Sequence, residues 1–213
     1  MIKLIACDLD QTIVFTGNIH FESLNKALSE ASPEYVISKE DHDSVYNGLP
    51  SKKKLEMLVA KGLPAELTKE ILNKKQQYTE FFVRKLICKD DYKQQRDCLS
   101  RLKDDGYLLA CCSNAIKSSV HNMLECSVGT DLFDIILSNE EVTKPKPDKE
   151  IYVLAAALAN VNNPREVVVV EDSLYGIMSG TDSGAFVVVV KDPFDFSYDF
   201  IKGQILEIEK CQI

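Results

Sequence analysis

Two aspartates one residue apart, Asp8 and Asp10, interrupt the apolar opening of the chain in Ile5-Ala6-Cys7-Asp8-Leu9-Asp10-Gln11-Thr12-Ile13-Val14. On extended backbone, residues i and i+2 point the same way, so both carboxylates can face one pocket. Two bare carboxylates that close repel each other, and one resists ionising. A divalent cation removes the conflict. A second acidic pair, Glu171 and Asp172, follows another apolar run. It would complete an oxygen-rich site of the kind that suits Mg²⁺. Without a cation, the same acids are helix caps or charges at a solvated sheet edge. Ser113 and Asn114 stand just before a helical pattern. Their side chains and the free N–H groups there make them candidate phosphate ligands, or else a plain N-cap. Lys144 lies in Thr143-Lys144-Pro145-Lys146-Pro147-Asp148-Lys149-Glu150. The prolines stiffen that loop. Lys146 and Lys149 are close by, and position alone does not say which lysine points inward.

Such groups need elements that bring them together. Short, β-branched, nearly continuous apolar runs occupy Ile2–Cys7, Tyr107–Cys112, Phe133–Leu137, Val167–Val170 and Phe186–Val190. Strands of a parallel sheet covered on both faces read this way. Helical patterns at Ala115–Cys126, Asp148–Asn160 and Ser173–Ser183 lie between the last four runs. The alternation predicts an α/β fold with a doubly wound parallel sheet. In such a sheet ligands bind beyond the carboxyl ends of the strands, where the residues above fall. The gap between Cys7 and Tyr107 is far longer than one crossover needs. It carries helical patterns at Ile19–Glu30, a capping-type start at Ser38, and a helix capped by Ser51 that ends at Gly62. A long helix follows, from Pro64 to about Ile87, and then Asp91–Asp105 with Gly106 past its end. We therefore expect a core of residues 1–15 and 89–213 and a smaller helical domain over 16–88, inserted after the first strand. Ile205–Ile208 reads as a final strand.

The net charge of -8 over 213 residues argues against a nucleic-acid or anionic-membrane partner, which would want a basic face. An anionic substrate would need positive charge supplied locally. The seven cysteines form no CxxC, and their odd number suggests neither a disulfide framework nor a zinc site. Cys7, Cys111 and Cys112 lie in apolar runs and read as core residues. This usage fits a reducing cytosol. The first apolar stretch is broken by Lys3 and Asp8, which reads against a signal peptide. No run approaches a membrane span. A monomer or weak oligomer is expected.

In order and spacing these residues resemble the haloacid dehalogenase superfamily. Its DxDxT motif is matched by Asp8-Leu9-Asp10-Gln11-Thr12, and its Ser or Thr at the second strand end by Ser113. Its lysine in a K-P-x-P-D setting is matched by Lys144-Pro145-Lys146-Pro147-Asp148, and its acidic pair by Glu171-Asp172-Ser173 with Gly176. The inserted helices are similar to the cap of the subgroup that includes β-phosphoglucomutase and phosphoglycolate phosphatase. The resemblance implies Asp8 as a nucleophile that forms an aspartyl-phosphate, and Asp10 as general acid and then base. It implies Mg²⁺ held by Asp8, the Asp10 carbonyl and Asp172, with Glu171 near or in the shell. Ser113 and Lys144 would bind phosphoryl oxygens, Lys144 would steady Asp8, and the cap would close over the site. His20, at the hinge, and Gly48, Ser51 and Lys52, in the cap loop, become candidate substrate contacts.

The activity so implied is Mg²⁺-dependent hydrolysis of a small phosphorylated metabolite, a sugar phosphate or similar phosphomonoester. A phosphosugar mutase using the same intermediate is the alternative. A non-catalytic binding or regulatory protein on this fold is the reading from another class. Two departures stand out. The family usually has Gly where this chain has Gln11, and the sugar-phosphate mutases have an arginine at the place of Ser51.

Overall fold

Each apolar run becomes a strand of one parallel sheet: β1 (Leu4–Cys7), β2 (Leu108–Cys112), β3 (Ile135–Leu137), β4 (Val167–Glu171) and β5 (Phe186–Val189). The computed structural model describes residues 1–46 and 49–211. Strand order is β3-β2-β1-β4-β5. β1 is central: Leu4–Cys7 pairs with Leu108–Cys111 on one side and with Val167–Val170 on the other. All four of its residues are buried, which is why its sequence is continuously apolar rather than alternating. The chain winds outward from β1 through β2 to β3, then crosses back to β4 and β5. The direction therefore switches beside β1, the place where an open α/β sheet forms its crevice.

The chain divides into two compact units, Met1–Phe15 with Ile87–Ile213, and Thr16–Leu86. The second unit is helical. It holds α1 (Ile19–Ala31), the single turn α2 (Lys39–Asp41), α3 (Ser51–Ala60) and α4 (Thr68–Leu86). α1 packs along α4. Leu24, Ala27 and Leu28 of α1, Leu55 and Leu58 of α3 and Ile71 of α4 join one core with Ile37, Tyr46 and Leu63. Ser38 caps α2, accepting from Asp41 N at 3.0 Å. Ser51 does not cap α3 as expected; Pro50 holds the N-cap position, so Ser51 is the first helical residue. Pro64 likewise precedes a short 3₁₀ turn, Ala65–Leu67, ahead of α4.

The first unit adds α5 (Lys93–Asp104), α6 (Lys117–Cys126), α7 (Glu150–Leu158), α8 (Leu174–Asp182) and α9 (Tyr198–Lys210). Strand side chains alternate between two buried faces. Leu4, Ala6, Ala110, Cys112, Val167 and Val169 pack with Ile151, Tyr152 and Ala155 of α7. Ile5, Cys7, Leu109, Cys111, Val168 and Val170 fill the other face. α5 and α9 pack on each other there and reach β2 and β5. The expected strand at Ile205–Ile208 is instead the middle of α9. Ile201 and Ile205, four residues apart, are its buried side, a helical period that outweighs the short apolar run. Gly106, with φ of 91°, follows α5 as the expected left-handed residue that stops the helix. No helix among the described residues is long and apolar enough to cross a membrane.

Candidate functional site

The polar residues gather at the carboxyl ends of β1, β2 and β4. Asp8 N still donates to Val170 O at 2.9 Å, so the strand ladder holds Asp8 in place. A tight turn follows it. Ile13 N and Val14 N both donate to Leu9 O, at 3.0 and 2.9 Å, and Gln11 N donates to Val14 O at 2.8 Å. The turn puts Gln11 at φ 65°, in the left-handed region that costs an L-residue about 1–2 kcal/mol and that glycine adopts freely. This is the motif position at which the sequence departs from the family it resembles. The Gln11 Oε1 is also buried without a hydrogen-bond partner. Thr12 Oγ1 donates to Asp172 Oδ1 at 2.9 Å, tying the first motif to the fourth.

The lysine in the site is Lys146. Its ammonium donates to Asp8 Oδ1 at 2.7 Å, Glu171 Oε1 at 2.6 Å and Cys112 O at 2.8 Å. Lys144, the motif match, is exposed. Its backbone N–H donates to Glu150 Oε2 at 2.9 Å. The expectation for Lys144 is thus corrected to Lys146, two residues on. Burial alone would lower the ammonium of Lys146, but Asp8 and Glu171 outweigh it and hold it above the ordinary lysine value.

Glu171 is fully buried and saturated. Its Oε1 accepts from Lys146 and from Tyr152 O–H at 2.8 Å. Its Oε2 accepts from Asp172 N at 3.1 Å, Ser173 N at 3.3 Å and Ser173 Oγ at 3.1 Å. Ser173 Oγ in turn accepts from Gly176 N at 3.1 Å and caps α8. A Cβ on Gly176 would overlap the Glu171 carboxylate, so the glycine of this motif is there to let the helix approach the acid. With its oxygens committed to five protein donors, Glu171 anchors Lys146 and the start of α8. The expectation that it lends an oxygen to a metal has to compete with those bonds.

Asp8, Glu171 and Asp172 each present a carboxylate oxygen, all within 4.8 Å of one another. Burial raises Asp8 well above the usual carboxylate range, with Lys146 pulling the other way. Burial and then the charge of Glu171 push Asp172 up to about 6. One ammonium therefore faces three close acids. The hard-oxygen donors and this deficit of positive charge suit a divalent cation.

Ser113 is buried at the end of β2, and its Oγ accepts from Ala115 N at 3.1 Å. Asn114, expected at the phosphate, directs its carboxamide to the main chain of Lys146, with Oδ1 accepting from Lys146 N at 2.9 Å and Nδ2 donating to Lys146 O at 3.1 Å. In the helical unit, His20 Nδ1 lies 3.4 Å from Lys75 Nζ, Ser51 opens α3, and Lys52 is exposed. Gly48 lies outside the described residues. Sequence reasoning missed Tyr152 and the bridging role of Thr12. Thr12 had its signal in DxDxT; Tyr152, on α7, had none.

The chain matches the haloacid dehalogenase-like hydrolase family over residues 5–190. A haloacid dehalogenase-like hydrolase domain-containing protein of Arabidopsis thaliana is 36% identical over 112 residues, 49% of this chain and 35% of that protein. The chain therefore spans only about a third of that relative. A phosphoglycolate phosphatase of Nitrosospira multiformis is 24% identical across 98% of this chain and 95% of its own. Among solved structures, β-phosphoglucomutase from Clostridium difficile superposes with a TM-score of 0.80 at 21% identity, covering 97% of this chain and 98% of that one. The four strand-end motifs fall inside the matched span, which takes in most of the chain: the chain belongs to the haloacid dehalogenase-like hydrolase family.

Proposed function

We propose that the protein is a Mg²⁺-dependent phosphatase that hydrolyses a small phosphorylated metabolite, a sugar phosphate or similar phosphomonoester, through an aspartyl-phosphate on Asp8. The observation that carries this reading is the setting of Asp8: a buried carboxylate held by Lys146 at 2.7 Å beside Asp172, with a second aspartate two residues on. A family relative named as a phosphoglycolate phosphatase supports it.

In this reading an Asp8 oxygen attacks the phosphorus in line, and the bond to the leaving oxygen breaks. Asp10 gives its proton to that oxygen. Asp10 then takes a proton from water, which attacks the phosphorus and releases Asp8 and inorganic phosphate. Lys146 holds Asp8 in its attacking orientation and offsets charge on the phosphoryl oxygens. The Ser113 hydroxyl, whose oxygen already accepts from Ala115, has its proton to donate to one of them. Asp8, Asp172 and the main-chain carbonyl of Asp10 would hold Mg²⁺, with Glu171 behind them. When bound, the ion would orient the phosphoryl group and neutralise its charge. Phosphoryl transfer depends mostly on positioning and charge, so these groups suffice.

Purified protein should release inorganic phosphate from at least one member of a phosphomonoester panel with Mg²⁺, and none with a chelator. Asp8→Asn should lose activity by on the order of 10³-fold or more while its circular dichroism stays unchanged. An Asp8→Asn protein that kept most of its activity would remove the proposed nucleophile.

A further inference from the structure

The loop that carries Lys146 has an unusual shortage of main-chain donors. Pro145 and Pro147 have no N–H, so the Lys146 N–H is the one main-chain donor across those three residues. Buried main-chain groups must find partners somewhere, and no sheet ladder reaches this segment. The partner is a side chain from another strand end. Asn114, just past β2, accepts from Lys146 N at 2.9 Å and donates to Lys146 O at 3.1 Å. The two main-chain partners fix the orientation of the amide, since an N–H can only donate and a C=O can only accept. Asn114 is itself held: Asn139 Nδ2 donates to Asn114 O at 2.9 Å. The carboxamide thus grips Lys146 as a paired strand would, while the ammonium of the same residue reaches Asp8, Glu171 and Cys112 O.

We propose that Asn114 is a positioning residue, which clamps the main chain of Lys146 at both N–H and C=O and so sets its ammonium on the nucleophile Asp8. The proposal rests on the reading of Asp8 and Lys146 as phosphoryl-transfer groups. It separates the two neighbours at the end of β2: Ser113 faces the reacting group, and Asn114 acts through Lys146. Aspartate in its place would lose the donor to Lys146 O, and serine is too short to span both groups.

The test compares Asn114→Ala, Lys146→Ala and the double variant with p-nitrophenyl phosphate and Mg²⁺. Asn163→Ala is the control. Asn163 accepts from Arg165 N at 3.0 Å at the amino end of β4, away from the strand ends that carry the site. Its loss should soften the fold and leave the rate unchanged. Asn114→Ala should lower kcat/KM about 10- to 100-fold. The double variant should be no slower than Lys146→Ala alone, because the two act as a unit. A loss under twofold in Asn114→Ala, or a double variant whose loss is the product of the singles, would overturn the proposal.

A second readout needs no turnover. The buried Lys146 ammonium should give a slowly exchanging ¹⁵Nζ resonance, assigned by its absence in Lys146→Ala. Asn114→Ala should broaden or erase it, and Asn163→Ala should leave it intact. An unchanged resonance in Asn114→Ala refutes the clamp. A wild-type protein that releases no phosphate from any ester refutes the phosphatase reading instead, and the resonance still decides the clamp.

Discussion

Replacing Lys146 by Met tests the electrostatic design of the site directly, because methionine keeps most of the apolar stem and removes only the charge. Lys146 is 6% exposed, and its partners Asp8 and Glu171 are 7% and 0% exposed. Removing one partner of a buried ion pair leaves an uncompensated charge and costs about 3–5 kcal/mol. Here two carboxylates are left behind, so the upper half of that range is expected. At about 2–4 °C per kcal/mol for a chain of this size, the midpoint should fall by roughly 8–20 °C. The loss should depend on pH. Without the ammonium, the Asp8 carboxyl, already raised by burial, rises further in the folded state, and the folded protein then binds more protons than the unfolded one. Stability must therefore fall as pH rises, so the deficit is larger at pH 8 than at pH 5. Lys144→Met, an exposed change, should stay within about 0.5 kcal/mol of the parent. Thermal and urea unfolding followed by circular dichroism, in a chelator at both pH values, measure all of this. A Lys146→Met protein as stable as its parent at pH 8 would refute the reasoning, and so would a larger loss from Lys144→Met.

Two further outcomes follow from the same groups. Asp172 sits near 6 through burial and the charge of Glu171, above the ordinary aspartate value of about 3.9. In a chelator it should therefore cost the folded state about 2–3 kcal/mol as pH rises from about 4 to 6. Mg²⁺ should recover that loss, so the Mg²⁺-induced rise in melting temperature should be larger at pH 7 than at pH 5; an equal rise at both would count against Asp172 as a ligand. Gln11→Gly removes a left-handed glutamine and an unpartnered buried oxygen, against the entropy of an added glycine. It should add about 1 kcal/mol of stability, read as a higher urea midpoint, and a lowered midpoint would show that the glutamine side chain holds the turn.

The sheet was legible in the sequence because strands buried on both faces cannot hide: Leu4–Cys7 and Val167–Val170 have no charged residue. The tail was misread because Ile205–Ile208 is short, and at that length apolar content looks the same in a strand and on a helix face. Only the partner four residues back, Ile201, reveals the period. Three of the acids were legible because they end apolar runs: Asp8, Glu171 and Asp172 sit at strand ends, and the sheet brings their carboxylates within 4.8 Å of one another. The lysine was not. Lys144 and Lys146 share the same proline-rich setting, and in an extended segment residues two apart face the same way. What separates them is a partner 32 residues earlier in the chain, Asn114, which no local pattern exposes. Gln11 was visible as a departure, but its cost became visible only with its backbone angle.

The central place of β1 also sets how the site comes apart. Strands open from the edges, and a main chain laddered on both sides exchanges its amide protons only when the larger unit unfolds. β3, with three residues, and β5 stand at those edges. Ile5, Ala6 and Cys7 lead into Asp8 from the strand least able to fray. Asp8, the nucleophile of the proposed reaction, is thus mounted on the strand expected to exchange most slowly, so local breathing at the rims should leave its aim undisturbed until the core itself melts.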